Sequence, residues 1–430
     1  MQGSQVGLTL ILGGLALCAL AAAIVRTSTS GVFFWLLVLS SIVVLGVRRY
    51  TAPLCNAGVG GMYAVLWLAV LILLGLNIGS VVAFDLRASA ASWWPLLAIP
   101  VIAALPLRRD AGLWILAHAA IFTNLLALAL ALLLLYSPDV VSKIVTVNSI
   151  LFGQVTVSLS LLCALALSRA DFPCGRIALL AAMLSGLVAT VMVGYRGGLL
   201  AVPLFAACLL QAAPMKQRGL GALSLLAVLV VSIAVIWTPM YGRLAAVIEE
   251  TIAFSHGVVG YSSVGTRLAL WDIAIDAFLA HPLFGVGAGR FGAEMRSLAD
   301  AGALPRDLGV FDHAHNTYLN VAAEYGVIGI LAFAAALTLV FRSATLRERR
   351  EFGVVAYVIG CWMIFALTND VLAHQSSMRV MSMMIGFVLA DVAAERRQDR
   401  RWLGLRRPFA SQLVDQSTTT ASRIQKESDS

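Results

Sequence analysis

Charge is scarce in this chain. Asp, Glu, Lys and Arg make up 12% of its 430 residues, where a soluble domain carries about 25%. Cysteine organises nothing either: there are six, with no CxxC pair. Cys18, Cys163, Cys208 and Cys361 lie inside apolar runs, and Cys55 and Cys174 sit near the ends of such runs, which excludes a disulfide framework or a zinc ribbon. No Walker motif, GxSxG elbow or DxD-type acidic pair occurs. The literal GxGxxG match Gly287-Ala288-Gly289-Arg290-Phe291-Gly292 follows no strand and reads as a turn, not a dinucleotide site.

What is present is apolar surface. Hydrophobic residues are 60% of the chain and the mean hydropathy is +0.91. That excess is too large for a soluble core, and roughly twelve spans of ~20 residues would absorb it. The expected fold is an all-α polytopic membrane protein. Spans are expected near 6–25, 31–47, 59–83, 93–106, 111–136, 144–168, 176–194, 198–214, 219–239, 317–341, 353–368 and 376–393. The fourth carries Pro95, Pro100 and Pro106 and is expected to be tilted or broken. The N-terminus, without Lys or Arg in residues 1–10, reads as a retained first span.

The net charge of +8 therefore speaks of loop sorting and not of nucleic acid. Alternate short loops hold twelve Lys and Arg on one side against five on the other, and the tail from Arg396 to Lys426 adds eight to the richer side. The positive-inside rule puts both termini in the cytoplasm. Four units follow: spans one to nine over 1–239, a long outer loop with short helices over 240–316, spans ten to twelve over 317–395, and a basic, disordered tail over 396–430 touching inner-leaflet lipids.

The outer loop holds four of the six histidines, and five Arg against eight Asp and Glu. Thr266 is expected to cap a helix running to about Ala280, ended by His281-Pro282. Three places can carry chemistry. Gly194-Tyr195-Arg196-Gly197-Gly198 sets an arginine among glycines at the mouth of two spans, an arrangement suited to phosphate; a snorkelling arginine is the plain alternative. Arg267 stands at the first turn of the loop helix, against the dipole unless an anion binds there. Asp312-His313-Ala314-His315-Asn316 offers a histidine base or, less simply, a metal site. His118 and His374 read as satisfied bundle residues, and Asn369-Asp370 is one further polar cluster near the same face.

These residues resemble the bacterial O-antigen ligases and, more broadly, the O-antigen ligase/polymerase superfamily. The R-x3-L motif is met by Arg196 to Leu200 and the H-x10-G motif by His315 to Gly326. The R-x-x-x-W pattern followed by P-L-x-G-x-G is met by Arg267 to Trp271 and Pro282 to Gly287. The resemblance implies an inner-membrane glycosyltransferase with its active site on the periplasmic face. It would move O-antigen polysaccharide from undecaprenyl diphosphate to lipid A–core, without metal, nucleotide or other cofactor. It implies His315 as the base, Arg196 and Arg267 at the diphosphate, and His313, Asn316, Tyr195 and Arg290 as orienting or sugar-binding residues. An O-antigen polymerase or a protein-glycan ligase would share the pattern. A lipid-linked glycan transporter would share only the helix count, and transporters place charge at mid-membrane.

Overall fold

The structure is a computed structural model. It describes residues 2–25, 27–51, 57–83, 93–137, 148–167, 175–195, 197–201, 203–205, 207–208, 249–252, 256, 263–344 and 349–398. The helices are α1 (Gln2–Val25), α2 (Thr27–Thr51), α3 (Ala57–Ala83), α4 (Ala98–Ala103), α5 (Ala111–Tyr136), α6 (Ser149–Leu167) and α7 (Arg176–Met192). They continue with α8 (Ser263–Ala280), α9 (Phe291–Asp300), α10 (Thr317–Ala344), α11 (Arg349–Ala366) and α12 (Gln375–Gln398). No strand occurs among the described residues.

Among the described residues, five stretches are long and apolar enough to cross a membrane: Gly7–Val25 and the whole of α5, α6, α10 and α12. Shorter apolar helices lie at Ser30–Gly46, Met62–Ile78, Trp94–Ala103, Arg176–Met192 and Gly353–Ala366. α6 is buried along nearly its whole length, whereas α1, α2 and α5 turn Ile11, Leu39, Val43 and Leu133 outward. Such rows of exposed Leu, Ile and Val suit hydrocarbon, not water. The chain is a multi-pass membrane protein. The expected ninth span and the second half of the eighth, 209–214, lie outside the described residues, as do the expected boundaries at 239 and 240 and the tail from 399 onward.

The expected fourth span is broken, as its prolines require. A 3-10 turn, Trp94–Leu97, leads into the six-residue α4, which is too short to cross. α12 then fixes the loop that follows. Asp391 accepts from the N–H groups of Gly112 and Leu113 at 2.7 Å each, capping α5 across the bundle. A carboxylate there satisfies two otherwise orphan donors and complements the helix dipole. Gly112 permits it, because a Cβ would come within 2.2 Å of the Phe387 carbonyl oxygen.

The 263–316 segment has its own small core. Leu270, Ala274, Phe291, Met295, Leu308 and Ala314 pack against Ala323 of α10. Its attachment is a backbone interlock. Gly326 breaks α10 with φ 63° and ψ −157°, which releases two carbonyls and two N–H groups from the helical ladder. Val286 and Gly287 N–H donate to Ala323 and Glu324 carbonyls at 2.8 and 2.9 Å, while Val327 and Ile328 N–H donate to Pro282 and Leu283 at 2.9 and 3.3 Å. Gly285, at φ 68°, lies so close that a Cβ would meet the Glu324 carbonyl carbon at 2.3 Å. The glycine-rich run is therefore a joint.

Candidate functional site

The site forms where the 263–316 segment meets the start of α10 and the α11–α12 turn. Asn316 caps α10: its Oδ1 accepts from Tyr318 and Leu319 N–H at 3.0 and 3.2 Å, and its Nδ2 donates to the Leu367 carbonyl at 3.2 Å. Thr317 Oγ1 donates toward the Asn369 carbonyl and Asp370 Oδ1, and accepts from Val371 N–H at 2.9 Å. Asp370 Oδ1 also accepts from Leu372 and Ala373 N–H. The two sequence-distant polar clusters, 312–317 and 368–374, are thus one unit.

His315 sits half-buried at the centre with φ 50°, a left-handed conformation that few non-glycine residues adopt. Its Nδ1 lies 3.5 Å from Asn369 Oδ1, a long contact that favours the Nδ1–H tautomer and leaves Nε2 to accept a proton. Phe311 stands edge-on to its ring at 5.5 Å. Burial lowers the His315 pKa to about 4, helped by the neighbouring charges of His313 and Arg267. The ring is therefore neutral at ambient pH.

His313 is buried beside it, with ring centroids 4.4 Å apart. Its Nδ1 shares a 2.5 Å hydrogen bond with Asp312 Oδ1, and this pairing holds the Asp312 carboxyl below the usual carboxylate range. His374 closes the group at 4.9 Å from His313. Burial, then the nearby His313, lower its pKa to about 4. His374 was expected to be an ordinary bundle residue; it belongs to the cluster, because the α11–α12 turn folds back over the start of α10. No set of three His, Cys, Asp or Glu side chains takes up a metal-holding arrangement among the described residues.

Arg267 lies close enough for its charge to act on both His315 and Tyr195. It is the fifth residue of α8, which begins at Ser263 and not at Thr266. Thr266 is consequently no cap, and the argument from an unfavourable dipole position loses its footing; proximity to His315 replaces it. Tyr195 is buried next to Thr368 and Gln154 with its ring 6.0 Å from Phe365, and burial pushes its hydroxyl pKa up. It packs so tightly on α6 that a Cβ at Gly153 would meet its ring at 2.0 Å.

Arg196 lies outside the described residues. The residues on either side of it, Tyr195 and Gly197, are placed: a Cβ at Gly197 would meet Thr368 Oγ1 at 2.6 Å. The following stretch, Gly197–Ala201, is a 3-10 turn and not yet the expected eighth span. Arg290 stands exposed where α9 begins. His118 is a bundle residue as expected, its Nδ1 bonded to the Trp114 carbonyl at 2.8 Å.

The site therefore joins a buried neutral imidazole, a guanidinium and a glycine turn at one end of an apolar bundle. Such a set can remove a proton from a hydroxyl next to a bound anion. The family model described as O-antigen ligase matches residues 179–334. The chain thus carries an O-antigen ligase domain. The matched stretch contains Tyr195, Arg196, Arg267, His313, His315 and Gly326. No functionally curated protein matches the chain.

Proposed function

We propose that this chain transfers O-antigen polysaccharide from undecaprenyl diphosphate to a sugar hydroxyl of lipid A–core on the periplasmic face of the inner membrane. One observation carries the reading: within an O-antigen ligase domain, Arg267 lies within electrostatic reach of the half-buried, neutral His315. The acceptor hydroxyl gives its proton to His315 Nε2 as its oxygen bonds to the donor's anomeric carbon. The bond from that carbon to the diphosphate breaks, and the electron pair leaves with undecaprenyl diphosphate. Attack opposite the leaving group inverts the anomeric centre. Charge grows on the diphosphate as the bond breaks, so Arg267 and Arg196 stabilise the transition state more than the bound donor.

His313 and Asn316 act as positioning residues, the first packed on the His315 ring and the second fixing the start of α10. Tyr195, buried against α6, acts as a further positioning residue. The donor supplies its own leaving group, so no nucleotide or metal takes part in the proposed step. The test is reconstitution of the purified chain with lipid-linked glycan and lipid A–core. His315→Ala should lower transfer by roughly 10²- to 10⁴-fold, the usual worth of a general base, in a protein that still folds and inserts. Near-normal transfer by that variant would remove His315 from the mechanism. A product lengthened at its lipid-linked end, with no lipid A–core modified, would mark a polymerase instead.

A further inference from the structure

A second polar chamber lies behind the proposed catalytic histidine. It is a cavity of about 180 Å³ whose wall includes His313, Asp312, Glu324, Asp370, Asn77 and Trp93, and neither His315 nor Arg267 lines it. His313 is the shared wall, with the His315 ring on one side and the cavity on the other. The elements come from all over the chain: α3, the 3-10 turn before α4, α10 and the α11–α12 turn.

Two polar atoms in this wall lack a partner. His313 and Asn77 are 7% and 3% exposed, and His313 Nε2 and Asn77 Oδ1 make no hydrogen bond among the described residues. Leaving such an atom unsatisfied is costly. His313 Nδ1 pairs with the Asp312 carboxylate, which leaves Nε2 for a further partner. Asn77 spends its NH2 group on the Tyr325 hydroxyl at 2.9 Å, leaving the carbonyl oxygen. Asn320 and the carboxyls of Asp312, Glu324 and Asp370 are further polar groups in the wall, which is closed on one side by the Trp93 indole.

We propose that this cavity is a saccharide subsite that takes one uncharged pyranose unit. Its hydroxyls donate to Asn77 Oδ1 and pair with His313 Nε2 and the carboxyls, and its C–H face rests on Trp93. The Asp312 carboxyl, held below the usual carboxylate range by His313, repels phosphorylated and acidic sugars, which belong on the arginine side. A hexose has several O–H donors at fixed spacing and an apolar face, and the wall offers the complement of both. The sugar can arrive on the donor or on the acceptor. The inference rests on the transferase reading only for that choice.

Full-length protein in detergent should be probed by saturation-transfer NMR with the methyl glycosides of glucose, galactose, mannose and N-acetylglucosamine. Glucose 6-phosphate and glucuronate serve as charged counterparts. At least one neutral glycoside should saturate, and the charged sugars should bind at least tenfold more weakly. Ala373→Trp places an indole at a half-exposed position of the wall and should abolish saturation while leaving inorganic diphosphate binding unchanged. Asn77→Leu, which keeps the volume and deletes the carbonyl, should weaken the same glycoside about tenfold, and a thermal melt checks that it folds.

Saturation by charged and neutral sugars alike, or by none, overturns the subsite, as does saturation untouched by both variants. In the transfer assay, Ala373→Trp should raise the KM of whichever substrate carries the sugar, donor or acceptor. Transfer that proceeds with both KM values unmoved defeats the subsite alone. Saturation in a protein that transfers no glycan supports the subsite and defeats the transferase reading.

Discussion

At the scale of the residue, His315 poses a problem of base strength. Burial and neighbouring charge hold its pKa near 4, against an ordinary value of 6.5, which secures the neutral form but makes a weak base. A bound diphosphate would offset part of that. Its charge neutralises Arg267 and itself favours imidazolium, so the pKa rises when substrate is present. The pH profiles should separate accordingly. The acid limb of kcat/KM, which reports free enzyme, should fall near pH 4, and the limb of kcat, which reports the complex, should lie at higher pH. Coincident limbs near 6.5 would show that His315 is not depressed in this way. The same shift carries a stability sign: the folded form binds the proton only near pH 4 and the unfolded form near 6.5, so folding weakens as pH falls through that window. For the proposed diphosphate contact of Arg196, replacement by lysine keeps the charge but not the planar fork a two-point contact needs. Arg196→Lys should lose at least tenfold in kcat/KM with lipid-linked donor. Full activity would reduce Arg196 to a point charge.

At the scale of the element, the joint between the 282–289 run and α10 decides whether the site exists at all. Gly326 and Gly285 have positive φ; a Cβ on Gly326 would strike the Leu283–Phe284 backbone and one on Gly285 the Glu324–Tyr325 backbone. Gly326→Ala should cost about 3 kcal/mol, from strained backbone of roughly 1–3 kcal/mol and from hydrogen bonds lost when the strands of chain part. Thermal unfolding in detergent measures it, and glycan transfer should fall with it because His315 and Arg267 lie on opposite partners of the joint. Gly285→Ala should behave alike. The double variant should lose clearly less than the sum, since one interlock can be broken only once; strict additivity would mean that the two glycines act separately. The H-x10-G and P-L-x-G-x-G patterns thus acquire a shared physical reason. Their glycines are two sides of one contact, made of backbone groups that α10 gives up at its break.

At the scale of the whole molecule, the proposed arrangement puts the site outside the cell's cytoplasm and the Arg108–Arg109 loop inside it. Both places are exposed enough to probe: Asp300 ends α9 and Arg108 precedes α5. In a cysteine-free background, Asp300→Cys should react with a membrane-impermeant maleimide in spheroplasts. Arg108→Cys should react only after lysis. Reversed labelling would overturn the orientation and with it the periplasmic reaction. The loop itself is tied to α12 by the Arg109–Glu395 ion pair at 2.8 Å and by Arg397 Nη2 donating to the Leu105 carbonyl at 3.1 Å. Basic residues that look in the sequence like pure topology signals therefore also bind the end of the bundle together.

Much of this was open to reading in advance. The apolar excess and its blocks of about twenty residues fix a helical membrane protein, because lipid leaves no other way to satisfy backbone groups. Proline spacing foretold the break before α4. The motif residues His315 and Arg267 could be singled out because polar groups are few on an apolar background. Folding alone decided the rest, since it depends on which distant segments touch. His374, 59 positions after His315, joins the histidine cluster only because the α11–α12 turn crosses the start of α10. Asn77 and Glu324 meet across one cavity from separate helices. Linear spacing shows which residues share a helix face, but not which helices are neighbours. That is set by the packing of whole elements, here through Gly326, where α10 gives up its own hydrogen bonds to receive those of the chain beside it.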